Sequence, residues 1–205
     1  RSSRTSTAQA FEGDPRPMVD SVLNRLYFPG GSNVFGNGSA VSARNSIFAR
    51  TNGKVYEIIN GQKRHIINQD VLFSYGVDFE AVRLISSAEL NRYPRAKFLV
   101  FEDKLYYLTE AGYIRWIPDL GIFGSYGLKA IDAIFINEVE FNLYPKNQYI
   151  FDETGKDNRI WFIDGDLKRP VAKEAVSKLG IPNQAIAPVN RTEFDFYREI
   201  GSEIK

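Results

Sequence analysis

From Ser46 onward, apolar and polar positions alternate in short runs broken by turn residues, and the pattern recurs. The runs SIFAR, KFLVF and QYIFD, beginning at Ser46, Lys97 and Gln148, each read as a single strand. Each is followed by a hairpin sequence: VYEIINGQKRHII, LYYLTEAGYIRWI or IWFIDGDLKRPV. The expected turns are Asn60-Gly61, Ala111-Gly112 and Asp164-Gly165, because Asn-Gly and Asp-Gly accept the positive φ that tight hairpins require. Tyr56, Tyr106 and Trp161 alternate with Ile58, Leu108 and Ile163, which marks one buried hairpin face. The opposite face carries Glu57, Tyr107 and Phe162. Two of these are aromatic, so that face also needs a cover: another repeat, the N-terminal arm or another chain.

After each hairpin comes a short helical stretch, NQDVLFSYG, DLGIFGSYG or AKEAVSKLG, ending at Gly76, Gly127 and Gly180. Glycine there suits the left-handed residue that closes a helix. A short apolar segment follows (AVRLI, DAIFI, AIAPV). A last helical turn opens with Ser86-x-x-Glu89, Asn137-x-x-Glu140 or Asn190-x-x-Glu193, a capping-box pattern that explains the recurring glutamate without chemistry. Tyr93, Tyr144 and Tyr197 stand three residues after Leu90, Phe141 and Phe194, the spacing of one packed helical face.

The recurrence is quantitative. Shifted by 51 residues, Lys63–Pro94 falls on Ile114–Pro145 with ten of 32 positions identical. Unrelated segments of ordinary composition would share about two. A further shift of 53 reaches a more divergent third copy, in which Gly180, Glu193 and Tyr197 match Gly76, Glu89 and Tyr93. One supersecondary unit used three times is the expected architecture. The fold class is α+β with sheet dominant, each unit a strand plus hairpin followed by short helices. The expected divisions are an N-terminal arm and linker over 1–45 and repeats over 46–95, 96–147 and 148–205, the repeats forming one compact domain. Closure around a pseudo-threefold axis and linear stacking are both open at this stage.

Upstream, RSSRTSTAQA is polar, Met18–Phe28 suits a short amphipathic helix, and PGGSNVFGNGS reads as a linker. Ala8-Gln9-Ala10 looks like a signal-peptidase site, but no apolar segment precedes it and no signal peptide is expected.

Composition narrows the function. The chain has 205 residues and a formal net charge of +1 from 26 basic and 25 acidic residues, which argues against nucleic acid as a partner. No apolar run approaches the ~20 residues of a membrane helix. With no cysteine and a single histidine, His65, thiolate chemistry and any site needing two imidazoles are excluded. No cofactor or metal is expected, and no catalytic residue is assigned. Phosphate-binding glycine loops and the GxSxG elbow are absent. The acidic run from Asp152 to Asp157 reads as a turn.

The cations Arg64, Arg115 and Lys168 occupy one expected column of the second hairpin strand. With Tyr75, Tyr126 and Trp116, they form a candidate ligand-binding set for an anionic glycan. Aromatic planes stack on sugars, and cations hold carboxylates.

The unit VYEIINGQKRHI, then SYG, then SSAELNRYP, resembles a tandem repeat of about fifty residues found in secreted and cell-surface bacterial proteins, covering residues 46–201. The third copy departs from it, with Arg169-Pro170 in place of the aromatic-isoleucine pair. The resemblance implies a non-catalytic role, secreted or at the cell surface. The expectation is a structural subunit of a filament, sheath or surface layer, assembling as a homo-oligomer or polymer through its N-terminal arm and repeat surfaces. The alternative is a cell-wall or anionic-carbohydrate-binding module.

Overall fold

The computed structural model describes residues 46–205. The N-terminal arm, with its expected helix over Met18–Phe28, lies outside them. The fold is α+β and strand-dominated, with three small sheets and few short helices.

In the first sheet, β1 (Ile47–Thr51), β2 (Lys54–Ile59) and β3 (Gln62–Ile66) form an antiparallel meander. Helix α1 (Gln69–Ser74) follows, then β4 (Arg83–Leu84), which returns to pair parallel with β1, and α2 (Ser87–Leu90). The strand order is β3-β2-β1-β4. The middle sheet has the corresponding order β7-β6-β5-β8. It is built from β5 (Phe98–Phe101), β6 (Lys104–Leu108), β7 (Ile114–Ile117) and β8 (Ile134–Phe135), with α3 (Leu120–Ser125) and α4 (Glu138–Phe141). The last sheet comprises β9 (Tyr149–Asp152), β10 (Ile160–Asp164), β11 (Leu167–Val171), β12 (Ile186–Val189) and β13 (Arg198–Glu199), with α5 (Lys173–Lys178) and α6 (Arg191–Phe196). Its order is β12-β9-β10-β11-β13.

Both faces of each meander are covered. In the first sheet, α1 brings Val71, Leu72 and Tyr75 against Ile66 and Val55, while the other face packs Ala49 and Ile58 against Ile85 and Leu90. In the middle sheet, Tyr107 joins Phe98, Ile122 and Phe123 on the α3 side. Tyr106 and Leu108 join Ile134 and Tyr144 on the other. The cover expected from another repeat or chain is thus supplied first by each sheet's own helix. Trp161, 0% exposed, is buried in the last sheet with Ile150, Ile163 and Phe194.

The hairpin turns differ in detail. Asn60 and Gly61 have φ of 51° and 72°, the two left-handed residues of a twisted two-residue turn. The middle hairpin closes at Leu108↔Ile114, leaving the five residues from Thr109 to Tyr113 as a loop in which the Thr109 hydroxyl accepts from the Tyr113 amide at 3.0 Å. In the last hairpin Asp164 pairs with Leu167, so the turn is Gly165-Asp166 and not Asp164-Gly165.

The register also corrects the cation column. Arg64 pairs across from Glu57 and Arg115 from Tyr107. The residue paired with Phe162 is Arg169, whereas Lys168 pairs with Ile163, in the row of Lys63 and Ile114. Counting back from Gly180 misplaces it because the last unit has one residue fewer between strand and helix. Val171 adjoins the α5 cap Ala172, whereas Ile66 and Ile117 stand two residues before Asn68 and Asp119.

Candidate functional site

Chemistry-bearing side chains converge where one sheet meets the next. Helix α4 begins at Asn137, whose side chain accepts from the Glu140 amide at 3.0 Å. In a reciprocal capping box the Glu140 carboxylate would return to the Asn137 amide. Here the Tyr75 hydroxyl, delivered by the end of α1, accepts from that amide at 3.1 Å. The carboxylate turns outward instead. Tyr75 donates to it at 2.6 Å, Tyr144 donates to its other oxygen at 2.6 Å, and Arg64 on β3 forms an ion pair with it. Arg64 also pairs with Glu57 on β2. Asn137 completes the joint by donating to the Ser74 hydroxyl at 2.8 Å.

The same arrangement recurs between the middle and last sheets. Arg115 Nε and Nη2 donate to the two oxygens of Glu193 at 2.5 and 3.0 Å. Tyr126 and Tyr197 donate to that carboxylate at 2.5 and 2.8 Å. Asn190 caps α6 through the Glu193 amide at 2.9 Å and donates to the Ser125 hydroxyl at 2.8 Å. Tyr107 stands in the row of Glu57, its ring 4.9 Å from the Arg115 guanidinium carbon, and Asn147 accepts from Arg115 Nη1 at 2.5 Å.

Both joints are buried. Glu140 and Glu193 are 0% exposed, and Arg64 and Arg115 are 1% and 2% exposed. Burial opposes charge on both guanidiniums, but the facing glutamates outweigh it, so both pKa values lie above the usual arginine range. Burial, reinforced by the adjacent carboxylates, raises the phenol pKa values of Tyr126, Tyr144 and Tyr197. A buried charge survives only when paired and hydrogen-bonded. Each carboxylate here meets that condition with one guanidinium and two phenols.

The six residues expected to bind a ligand do not form one open surface. Arg64, Arg115 and Tyr75 are buried, Tyr126 is half-buried, and the polar groups of all four engage glutamates. Lys168 is buried in its own sheet, donating to the Phe194 carbonyl at 2.7 Å with its ammonium 3.6 Å from the Phe194 ring centroid. Burial lowers its pKa. Trp116 is exposed on β7, opposite Tyr106. Arg64 and Arg115 point into the joints and Lys168 into the core, so these three cations do not line a surface with Trp116.

Capping of the last helical turns agrees with the sequence pattern, since Ser86, Asn137 and Asn190 all accept from the glutamate amide three residues on. The joining role of the carboxylates was missed. Its sequence signal is the paired recurrence of Arg and Tyr in one unit with Glu and Tyr in the next. The acidic run is a turn, as expected, with Asp152 accepting from the Thr154 amide and hydroxyl and Asp157 held by Arg159. Among the described residues no group of three or more histidine or acidic side chains is placed to hold a metal, and no helix is long and apolar enough to cross a membrane.

No family model matches the chain, and no curated protein matches it. Among solved structures it is similar to a chain of the periplasmic assembly from the ESX-5 inner membrane complex. That likeness has 12% identity over 84% of this chain and 69% of the other, with a TM-score of 0.23. A chain of an intact ESX-5 inner membrane complex gives 11% identity over 84% and 60%, also with a TM-score of 0.23. Likeness at that level establishes neither a shared fold nor a shared role.

Proposed function

We propose that this chain is a non-catalytic structural subunit acting outside the cytoplasm, a tandem-repeat building block whose recurring polar residues serve its own assembly. The observation that carries this reading is the pair of buried joints, in which the chain itself engages both glutamates. Glu140 is held by Arg64, Tyr75 and Tyr144, and Glu193 by Arg115, Tyr126 and Tyr197, while the buried Arg64 Nε makes no hydrogen bond among the described residues. General acid–base work needs a carboxyl within hydrogen-bond reach of a substrate. These carboxyls are 0% exposed and fully engaged by the chain itself. Descent of the three units from one module is supported by their common strand order and by the two joints of like composition. Location at the cell surface or in the medium rests on the resemblance of residues 46–201 to the bacterial surface repeat.

Self-association falls to surfaces the described residues leave open. Ile131 and Leu179, each 57% exposed, and Phe73, 46% exposed, lie on the outside of the units. The unpaired edge of β12 offers backbone groups for strand addition. Sedimentation of the full chain from micromolar to millimolar concentration, with electron microscopy of the same samples, tests the proposal. Oligomers or regular polymers are expected. A strict monomer throughout that range defeats the subunit reading.

A further inference from the structure

The middle and last sheets each receive their predecessor through a capped glutamate, and the first sheet carries the same acceptor. Ser86 caps α2 as Asn137 and Asn190 cap α4 and α6, placing Glu89 where Glu140 and Glu193 stand and Tyr93 where Tyr144 and Tyr197 stand. Yet the Glu89 side chain is 37% exposed, and its ion-pair neighbour among the described residues is Arg83 at 3.8 Å. The Arg83 position on the returning strand is taken by Ile134 and Ala187 in the other sheets, where both are buried. Leu84, 72% exposed, faces the other side of β4, where Phe135 and Pro188 stand in the other sheets. The surface that carries buried Ile134 and Ala187 on the other two sheets is here left open by the described residues and carries Arg83 and Glu89.

The far end of the chain is closed by contrast. Leu179 replaces the joining tyrosine, and Arg169 donates to the Ser202 carbonyl at 2.6 Å. The C-terminal residues run along β11, pairing Leu167 with Arg198 and Val171 with Ile204. A second copy therefore presents no open arginine–tyrosine pair from that end.

The N-terminal arm carries such a pair. In sequence, Arg16-Pro17, Leu26 and Pro29 coincide with Arg169-Pro170, Leu179 and Pro182 at an offset of 153, and Gly13-Asp14 matches Gly165-Asp166 at an offset of 152. Unlike the last unit, the arm also has Tyr27, eleven residues after Arg16, the spacing of Arg64–Tyr75 and Arg115–Tyr126. Tyr27 precedes Phe48 by 21 residues. Tyr75 and Tyr126 precede Phe98 and Tyr149, which hold the same register as Phe48, by 23 residues each. The connecting length is two residues shorter than that between neighbouring units, and such a tether holds the arm at high effective concentration.

We propose that residues 11–30 dock in cis on the face formed by Glu89 and Arg83, with Arg16 pairing with Glu89 and Tyr27 donating to the same carboxylate. The docked arm acts as the terminal cap that a short array needs. It leaves self-association to the other surfaces, so it stands apart from the proposed function.

The test is a double-mutant cycle in the full chain, Arg16→Ala with Glu89→Gln, read by urea unfolding. The expected coupling is about tenfold in the unfolding equilibrium, as for contacting residues. Additive effects overturn the pairing. Hydrogen exchange supplies a second readout: Glu89→Lys should raise exchange of the amides of residues 16–28 at least tenfold. Unchanged exchange there overturns the docking. Coupling that grows with protein concentration, accompanied by doubled mass, assigns the face to a second copy and likewise overturns the cis arrangement.

Discussion

Replacing Glu193 with alanine removes a carboxylate that is 0% exposed and accepts four hydrogen bonds, two from Arg115 and one each from Tyr126 and Tyr197. The loss is not the worth of one ion pair. Arg115, 2% exposed, keeps its charge because burial cannot neutralise an arginine, and its remaining side-chain acceptor is Asn147. Removing one partner of such a pair costs about 3–5 kcal/mol. Two phenols left without an acceptor raise rather than lower that figure. Against a total stability of about 5–15 kcal/mol, the variant should be marginal. With a urea slope of about 2 kcal/mol per molar, the midpoint should fall by roughly 2 M. Circular dichroism during urea titration measures this, with Glu110→Ala, an exposed loop change, as the control expected within about 0.5 kcal/mol of the parent. If Glu193→Ala loses less than about 1 kcal/mol, the joint does not hold the sheets together and the structural reading of the recurring glutamates fails.

Other outcomes follow from the same geometry. Tyr75→Phe removes the hydroxyl that donates to Glu140 and accepts from the Asn137 amide, and should cost about 1–3 kcal/mol in the same titration. Lys168→Ala should destabilise more than Arg169→Ala, because Lys168 is buried against Phe194 while Arg169 contacts an exposed carbonyl; equal losses would contradict the register. Tyr126, Tyr144 and Tyr197 have raised pKa values in the fold, so the unfolded chain releases their protons first. The tyrosine contribution should be constant below about pH 10 and then fall by up to about 1.4 kcal/mol per pH unit for each tyrosine, which unfolding titrations at pH 9 to 11 would measure. His65 has a lowered pKa, from burial and the Lys54 charge, so its smaller contribution should be present above about pH 6.5 and fade as the pH falls. A His65→Gln variant should lack that acid-side component.

The strands, the short helices and their caps were legible because each depends on neighbours within a few residues. Apolar alternation located β2, β6 and β10, and the spacing from Ser86, Asn137 and Asn190 to a glutamate located α2, α4 and α6. The buried row of Tyr106 and Trp161 was legible for the same reason. A column across units depends on counting, and a single missing residue before α5 moved the cation column from Arg169 to Lys168.

The direction of a polar side chain was decided only by the tertiary structure. Arg64 and Glu140 are 76 residues apart, and no local rule distinguishes a glutamate that closes its own cap from one that reaches the preceding sheet. The choice turns on whether the neighbouring unit excludes water. Where it does, at Glu140 and Glu193, the carboxylate must take partners from that unit. Where the described residues leave the carboxylate half open, at Glu89, it makes only a distant contact with Arg83. Three glutamates that follow one capping pattern therefore acquire different environments, because burial is a property of what packs against each sheet and not of the local sequence.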